Sequence, residues 1–293
     1  NEYIERLSGY ERVIFVKGEK IEDFVNHPNI KPVVNSIAFT YELAKKKEEY
    51  SPHSDLVNEN VNRLNYVNRT PEDLMARFDF QRELSMRMGT CNYRCTGADA
   101  IGALYPATKD VDERLGTDYH ERFLRLLKEI QRKDYACTAA LTDVKGDRAK
   151  RPKESREMYV HVVEKREDGI VVSGAKIHQS GAFAADINFV LPTQTFKEGE
   201  EEFALAFAAM PEDEGISYIL QNTGYQAKFR EGGEFEQGNP KYGDRITCTV
   251  IFDEVFIPWE RVFIFEDLNA VRKSLKTSRT RIDVPERHAK LVS

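Results

Sequence analysis

The sequence predicts an α+β chain of more than one domain, a helical N-terminal part followed by a β-sandwich or barrel. Three observations predict it. Apolar residues recur at helical spacing over roughly the first 135 residues. Short apolar strands bounded by turn residues take over from about residue 136, and the charge balance turns basic after about residue 265. At about 150 residues per domain, 293 residues suit two domains. The expected division is 1–135 helical, 136–265 β, and 266–293 a basic tail.

Taken in order, Asn35 to Lys47 and Asp55 to Tyr66 read as short helices. Thr70-Pro71-Glu72-Asp73 supplies a cap residue, a proline at the first helical position and acids in the first turn, which together start a helix. No proline follows before Leu104, and Leu74, Phe78, Leu84 and Met88 form a buried stripe, so one long helix is expected over 71–104. Asp118-Tyr119-His120 opens another, with Phe123, Leu126, Leu127 and Ile130 on its apolar face. Strands are expected at Tyr159–Val163, Gly169–Gly174, Asp186–Leu191, Phe203–Ala209, Thr247–Phe252 and Val255–Ile257. No helical pattern lies between them, which favours a sandwich or barrel over a parallel α/β sheet. Residues 222–246, with glycines at 224, 232, 233, 238 and 243, read as a long loop. Leu268 to Leu275 could form one or two helical turns, and seven Lys/Arg between 268 and 293 face Asp283 and Glu286.

Composition narrows the function classes. A net charge of −6 argues against general nucleic-acid binding, which usually needs a strongly basic domain. No apolar run approaches the roughly 18 residues of a membrane helix. Four cysteines are too few for a disulfide scaffold, and Asn1-Glu2-Tyr3-Ile4 shows no signal-peptide pattern, so a cytoplasmic protein is expected. The first residue is not Met, so the chain is also expected to be a piece of something longer.

Three stretches carry possible chemistry. Cys91-Asn92-Tyr93-Arg94-Cys95 falls inside the expected long helix, where i, i+4 spacing puts both sulfurs on one face. Such a pair can ligate a soft metal or an iron–sulfur cluster, although a closed site takes about four ligands. Equally, both can be small core residues. Cys137 and Cys248, on expected strands without ligand spacing, read as core. Thr142-Asp143-Val144-Lys145-Gly146-Asp147-Arg148 follows the apolar Ala139-Ala140-Leu141. There Gly146 lets backbone approach a ligand, while Lys145 and Arg148 can face an anion. Six Lys/Arg against two acids over 145–156 make a basic patch suited to a dinucleotide or CoA phosphate, or simply a solvated connection. Finally, His178-Gln179-Ser180-Gly181 ends a strand with three polar side chains, which suits a planar ring or an ordinary turn. Walker and Gly-x-Gly-x-x-Gly motifs are absent, as are Ser/His/Asp, His-Glu-x-x-His and paired-carboxylate arrangements.

Together these stretches resemble a known family. Thr90-Cys91 to Cys95-Thr96-Gly97 with Asp99-Ala100, Leu141 to Arg148, Val163 to Val172, and Gly174-Ala175-Lys176 with His178-Gln179-Ser180-Gly181 resemble 4-hydroxybutyryl-CoA dehydratase. Gly18 to Glu22, His27-Pro28 and Phe252-Asp253 with Val255 to Pro258 fit as well. Ile257-Pro258-Trp259-Glu260-Arg261-Val262-Phe263 is similar to the pattern of the flavin-dependent 4-hydroxyphenylacetate 3-hydroxylases of the wider family. The resemblance runs from residue 1 to about residue 265. It implies an acyl-CoA dehydrogenase-like architecture: a helical N-terminal domain, a β middle domain and a C-terminal helical bundle. It implies FAD, held by Leu141, Thr142, Asp143, Lys145, Gly146, Asp147 and Arg148 and by Gln179 and Ser180. It implies that Cys91 and Cys95 ligate a 4Fe-4S iron–sulfur cluster, and that the intact protein is a homo-oligomer, a tetramer.

The family pattern stops at the tail. Ile282 and Ala289 stand where the resemblance places the cluster's His and Cys ligands, and Thr247 where it places a carboxylate. The C-terminal bundle is therefore expected to be absent, supplied by a missing domain or a partner chain. Three functions follow from the resemblance: a flavin-dependent dehydratase of a 4-hydroxyacyl-CoA, a flavin monooxygenase of a phenol, or an inactive fragment or subunit completed by another polypeptide.

Overall fold

The computed structural model describes residues 2–147, 149–211, 213–221, 239, 241–243 and 245–280. In chain order the elements are α1 (Glu2–Ser8), β1 (Val13–Val16), β2 (Glu19–Ile21), α2 (Lys31–Ala44), the small hairpin β3 (His53–Ser54) and β4 (Glu59–Asn60), α3 (Pro71–Met88), α4 (Cys95–Leu115) and α5 (Tyr119–Lys133). Then come β5 (Cys137–Ala140), β6 (His161–Lys165), β7 (Gly169–Ser180), β8 (Ile187–Val190), β9 (Leu205–Ala209), β10 (Ile216–Gln221), β11 (Thr247–Pro258), β12 (Val262–Phe265) and α6 (Leu268–Thr280).

The β part is two open sheets packed face to face, so the sandwich alternative holds and the barrel does not. One sheet has the order β2-β1-β10-β11-β7-β6, the other β12-β9-β8-β5. Their burial patterns differ for a physical reason. In the four-stranded sheet β5, β8 and β9 are buried at every position, because one face meets the larger sheet and the other meets helices. In the larger sheet β10 and the start of β11 alternate buried and less buried, as a sheet with one solvated face must. Phe207 and Phe252 meet edge-on across the sandwich, and Phe123 of α5 meets Phe189 and Phe263 on the helical side. Leu127 and Ile130 of α5, Ile101 and Leu104 of α4 and Ala270 and Val271 of α6 complete that second core.

Four expectations are corrected. The first 135 residues are not helical throughout: β1 pairs in parallel with β10, and β2 extends the sheet as its edge. Residues 55–66 hold the turn of the β3–β4 hairpin, β4 itself and a single 3-10 turn. The helix expected over 71–104 is two helices. Thr70 caps α3 reciprocally with Asp73, as its sequence requires, but Gly89 then adopts φ 72° and ends it. The second helix, α4, starts at Cys95 and runs through Pro106 to Leu115. The fourth concerns α6, which spans thirteen residues rather than one or two turns. The basic residues beyond 280, Ile282 and Ala289 included, lie outside the described residues. No helix among the described residues is long and apolar enough to cross a membrane.

Candidate functional site

The β7–β11 pairing sets the site. Cys248 lies opposite Gln179 and Thr247 opposite Ser180, but Val250 lies opposite Lys176, so β7 carries an extra residue between them. His178 absorbs that bulge with φ 59°. The bulge shifts the phase of the strand: Lys176 and Gln179 are both buried, whereas His178 between them is exposed.

Lys176 ties the loop after β5 to this strand. Its Nζ donates to Asp143 Oδ1 at 2.5 Å and to the carbonyls of Leu141 and Leu191 at 2.9 and 3.0 Å. Both ion-pair side chains are 3% exposed. Burial pushes the Lys176 ammonium below the ordinary lysine value, and Asp143 opposes that shift. Asp143 also accepts from Thr193 Oγ1 at 2.9 Å. Ile177 N–H donates to Thr142 O at 2.8 Å, and the buried Gln179 amide donates to Ile177 O and, at 3.4 Å, to Thr142 O. The charged turn and the polar strand edge, distant in sequence, are thus one surface. Within it Asp143 and Gln179 act as fasteners, while Ser180 and Thr142 keep half-exposed hydroxyls.

The turn itself is left-handed at two successive positions, Lys145 at φ 68° and Gly146 at φ 56°, and Gly146 is exposed. Asp147 Oδ1 accepts from Ala149 N–H. Arg148 lies outside the described residues. Part of the basic patch is already committed: Arg151 pairs with Glu200, and Arg156 with Glu202 at 2.9 Å.

Cys91 and Cys95 do not share a helix face, because Gly89 ends α3 and Cys91 sits in the loop before α4. Their side chains nevertheless touch. The Cys91 sulfur accepts Tyr93 N–H at 3.3 Å and lies in hydrogen-bonding contact with Cys95. Cys91 is pulled down to about 6, chiefly by the Cys95 hydrogen bond and further by Tyr93 N–H and Arg245, against the effect of burial. Cys95 is pushed up, first by its bond to Cys91 and then by burial. No group of three or more His, Cys, Asp or Glu side chains among the described residues is arranged to hold a metal ion. Cys91 and Cys95 therefore fit as two thiolate ligands of about four, not as a complete cluster site.

Two residues that sequence reasoning missed join the Cys91 segment to the end of β7. Tyr93, at φ 62° and 1% exposed, packs its ring on Gly181, and its hydroxyl accepts Ile246 N–H at 3.2 Å. A Cβ at Gly181 would stand 2.8 Å from Tyr93 Cβ and Cδ1, so this approach needs glycine. Arg245 donates to Ser180 Oγ at 2.8 and 3.0 Å, which leaves the Ser180 hydrogen free to donate onward. The sequence signal for Arg245 was a single base just before a strand, in a loop crowded with charges.

The segment Trp259-Glu260-Arg261 lies elsewhere, at the corner between β11 and β12. Arg261 pairs with Asp213 at 2.6 and 2.9 Å, and Arg122 of α5 donates to Trp259 O at 3.1 Å. Its contacts are those of a structural corner.

The half-exposed hydroxyls of Thr142 and Ser180 and the left-handed turn at Lys145-Gly146 thus lie at the C-terminal end of β7. A family model described as "4-hydroxyphenylacetate 3-hydroxylase N terminal" matches residues 1–264. The chain is 35% identical over 272 residues to 4-hydroxybutyryl-CoA dehydratase/vinylacetyl-CoA-Delta-isomerase of Clostridium aminobutyricum, covering 91% of this chain and 55% of that protein. An oxygen-tolerant archaeal 4-hydroxybutyryl-CoA dehydratase from N. maritimus superimposes with a TM-score of 0.91 at 34% identity, covering 96% of this chain and 56% of that one. The oxygenase component of 4-hydroxyphenylacetate 3-monooxygenase, solved in complex with FAD, superimposes with a TM-score of 0.78 at 26% identity over 96% of this chain and 59% of that one. The chain spans about half the length of the curated relatives it matches. By a match that runs over residues 1–264 of 293, this chain belongs to the 4-hydroxyphenylacetate 3-hydroxylase N-terminal family.

Proposed function

We propose that this chain is the flavin-binding part of an FAD-dependent enzyme of the 4-hydroxybutyryl-CoA dehydratase type, acting on a 4-hydroxyacyl-CoA. The observation that carries it is the contact chain Cys91–Tyr93–Gly181 and Arg245–Ser180, which brings a thiol pair against the proposed flavin edge. The higher identity to the dehydratase, 35% against 28% for the Thermus thermophilus oxygenase component, supports the same reading.

Bound FAD would supply transient one-electron oxidation, which acidifies a C–H bond that no side-chain base can otherwise deprotonate. The protein's part is to bind and orient. Thr142 and Ser180 would donate hydrogen bonds to the ring's acceptors, with Arg245 holding the Ser180 hydroxyl in place. Lys145, Gly146 and Asp147 would lie toward the same ring on the β5 side, with Leu141, Asp143 and Gln179 fastening that loop to β7; Arg148, outside the described residues, is proposed with them on its place in the motif alone. Cys91 and Cys95 would contribute two thiolates to an iron–sulfur cluster whose other ligands lie outside the described residues, and no step is assigned to it.

The domains are proposed as 1–135, 136–265 and 266–293, in an acyl-CoA dehydrogenase-like layout. A C-terminal bundle or partner chain would close the substrate pocket, and the assembled protein would be a cytoplasmic homotetramer. The alternative is a phenol monooxygenase, favoured by Thr247 at the carboxylate position; its hydroxyl donates to Gln221, which also meets His178. Anaerobic purification followed by flavin, iron and sulfide assays tests the choice. The dehydratase reading expects FAD, iron and sulfide, with the iron and sulfide lost in Cys91→Ser. Flavin without iron or sulfide in the unaltered protein supports the oxygenase.

A further inference from the structure

We infer that Arg245 is a positioning residue whose charge raises the reduction potential of the bound flavin, acting through the Ser180 hydroxyl. The inference rests on the proposal that FAD lies against Ser180. The fold fixes Arg245 by side chain and backbone alike. Its Nε and Nη2 both donate to Ser180 Oγ, at 3.0 and 2.8 Å. The next residue, Ile246, gives its N–H to the Tyr93 hydroxyl at 3.2 Å, and Thr247 pairs with Ser180 in the β7–β11 ladder. The Tyr93 ring in turn lies on Gly181, the neighbour of Ser180. Arg245, Ser180, Gly181, Tyr93 and Ile246 thus close a circuit of contacts, so the guanidinium is held at the end of β7 although it is exposed.

That placement decides what the guanidinium can do. A hydroxyl oxygen that accepts two N–H donors turns its own hydrogen away from them, toward a further acceptor. The cation then stands one hydroxyl behind that acceptor. Reducing FAD at neutral pH adds two electrons and one proton, which leaves the ring negatively charged. A fixed cation stabilises that form more than the neutral oxidised one, and so favours electron uptake by FAD, the direction that the proposed oxidation of substrate requires. Exposure sets the size. Two unit charges about 4 Å apart change an equilibrium constant about fivefold in bulk water and far more in a dry interior. An exposed arginine behind a half-buried serine belongs near the lower end, at about tenfold in the ratio of affinities for reduced and oxidised FAD, or about 30 mV for a two-electron couple.

The test uses the full chain, unaltered and as Arg245→Met and Arg245→Lys. Calorimetric titration gives the affinity for oxidised FAD, and anaerobic reduction with dithionite beside a reference dye gives the midpoint potential of bound FAD. Arg245→Met should bind oxidised FAD within about threefold of the unaltered chain, with a potential lower by about 30 mV. Arg245→Lys keeps the charge and loses the two-donor fork, so its affinity ratio should stay within about threefold of the unaltered chain. An arginine that only braced the strand end would leave the potential of bound FAD where it was. The inference is overturned if the potential of Arg245→Met is unchanged or higher, or if Arg245→Lys falls as far as Arg245→Met. It is overturned equally if Arg245→Met no longer takes up FAD, since Arg245 would then hold the flavin rather than tune it. Absence of FAD binding by the unaltered chain is a separate failure, which overturns the flavin proposal itself and this inference with it.

Discussion

Replacing Lys176 by Met should unfasten the loop after β5 from the end of β7. The ammonium makes three bonds, to Asp143 and to the carbonyls of Leu141 and Leu191, and both members of the ion pair are 3% exposed. Removing one partner of a buried pair typically costs about 3–5 kcal/mol, because the remaining charge stays buried. Thr193 still donates to Asp143, which moderates the loss, but two carbonyls also lose their donor at about 1 kcal/mol each. The expected destabilisation is therefore about 3–5 kcal/mol, measured by urea unfolding followed by circular dichroism. A double-mutant cycle with Asp143→Leu isolates the pair, and coupling above about 1 kcal/mol is expected for groups in direct contact. Because the same lysine holds Leu141 and Thr142 beside Gln179, FAD affinity should fall at least about tenfold, or about 1.4 kcal/mol. A Lys176→Met protein within about 1 kcal/mol of the parent, or a cycle that is simply additive, would refute this reading of the fastening.

Other outcomes follow from particular contacts. Gly181→Ala places a Cβ 2.8 Å from Tyr93 at φ 70°; it should cost about 1–2 kcal/mol in left-handed strain alone, more with the overlap, and change the near-ultraviolet dichroism of the tyrosines. Alkylation of Cys91 in metal-free protein should follow a thiolate titrating at about 6, and Cys95→Ala, which removes the largest cause of that shift, should move the midpoint up toward the ordinary value of about 8.5. If the Trp259-Glu260-Arg261 corner is structural, Arg261→Ala should lower the urea midpoint through the lost Asp213 pair while leaving FAD affinity within about twofold.

The parts of the fold that sequence made legible are those where local signals agree with tertiary context. The Thr70-Pro71-Asp73 start of α3 and the apolar stripe of α5 appear where their patterns place them. Strands β8 and β9 also lie where apolar runs between turn residues put them. β1 and β2 were hidden because four residues of Val13–Val16 and three of Glu19–Ile21 carry no alternation long enough to count; their strand character comes from pairing with β10. Gly89 was hidden for the opposite reason. An isolated glycine in a helical pattern is tolerable, and its left-handed stop is decided by the packing of the loop that follows. That one residue changed the meaning of the cysteine spacing, from a shared helix face to a loop thiol meeting a helix-start thiol. The turn at 142–148 and the strand end at 178–181 were legible as motifs, but their adjacency depends on Lys176, which reads as an ordinary strand lysine until its burial is seen. Tyr93 and Arg245 carry no motif at all and become visible through contact.

One surface, formed by the turn at 141–147 and the strand end at Ser180, is proposed to receive the isoalloxazine. Calorimetric titration of the full chain with FAD, alongside a Thr142→Val/Ser180→Ala variant, measures it directly. The expected result is one FAD per chain, bound at least about tenfold more weakly in the variant with the melting transition unchanged. FAD binding of equal strength in both proteins, or none in the unaltered chain, would contradict it.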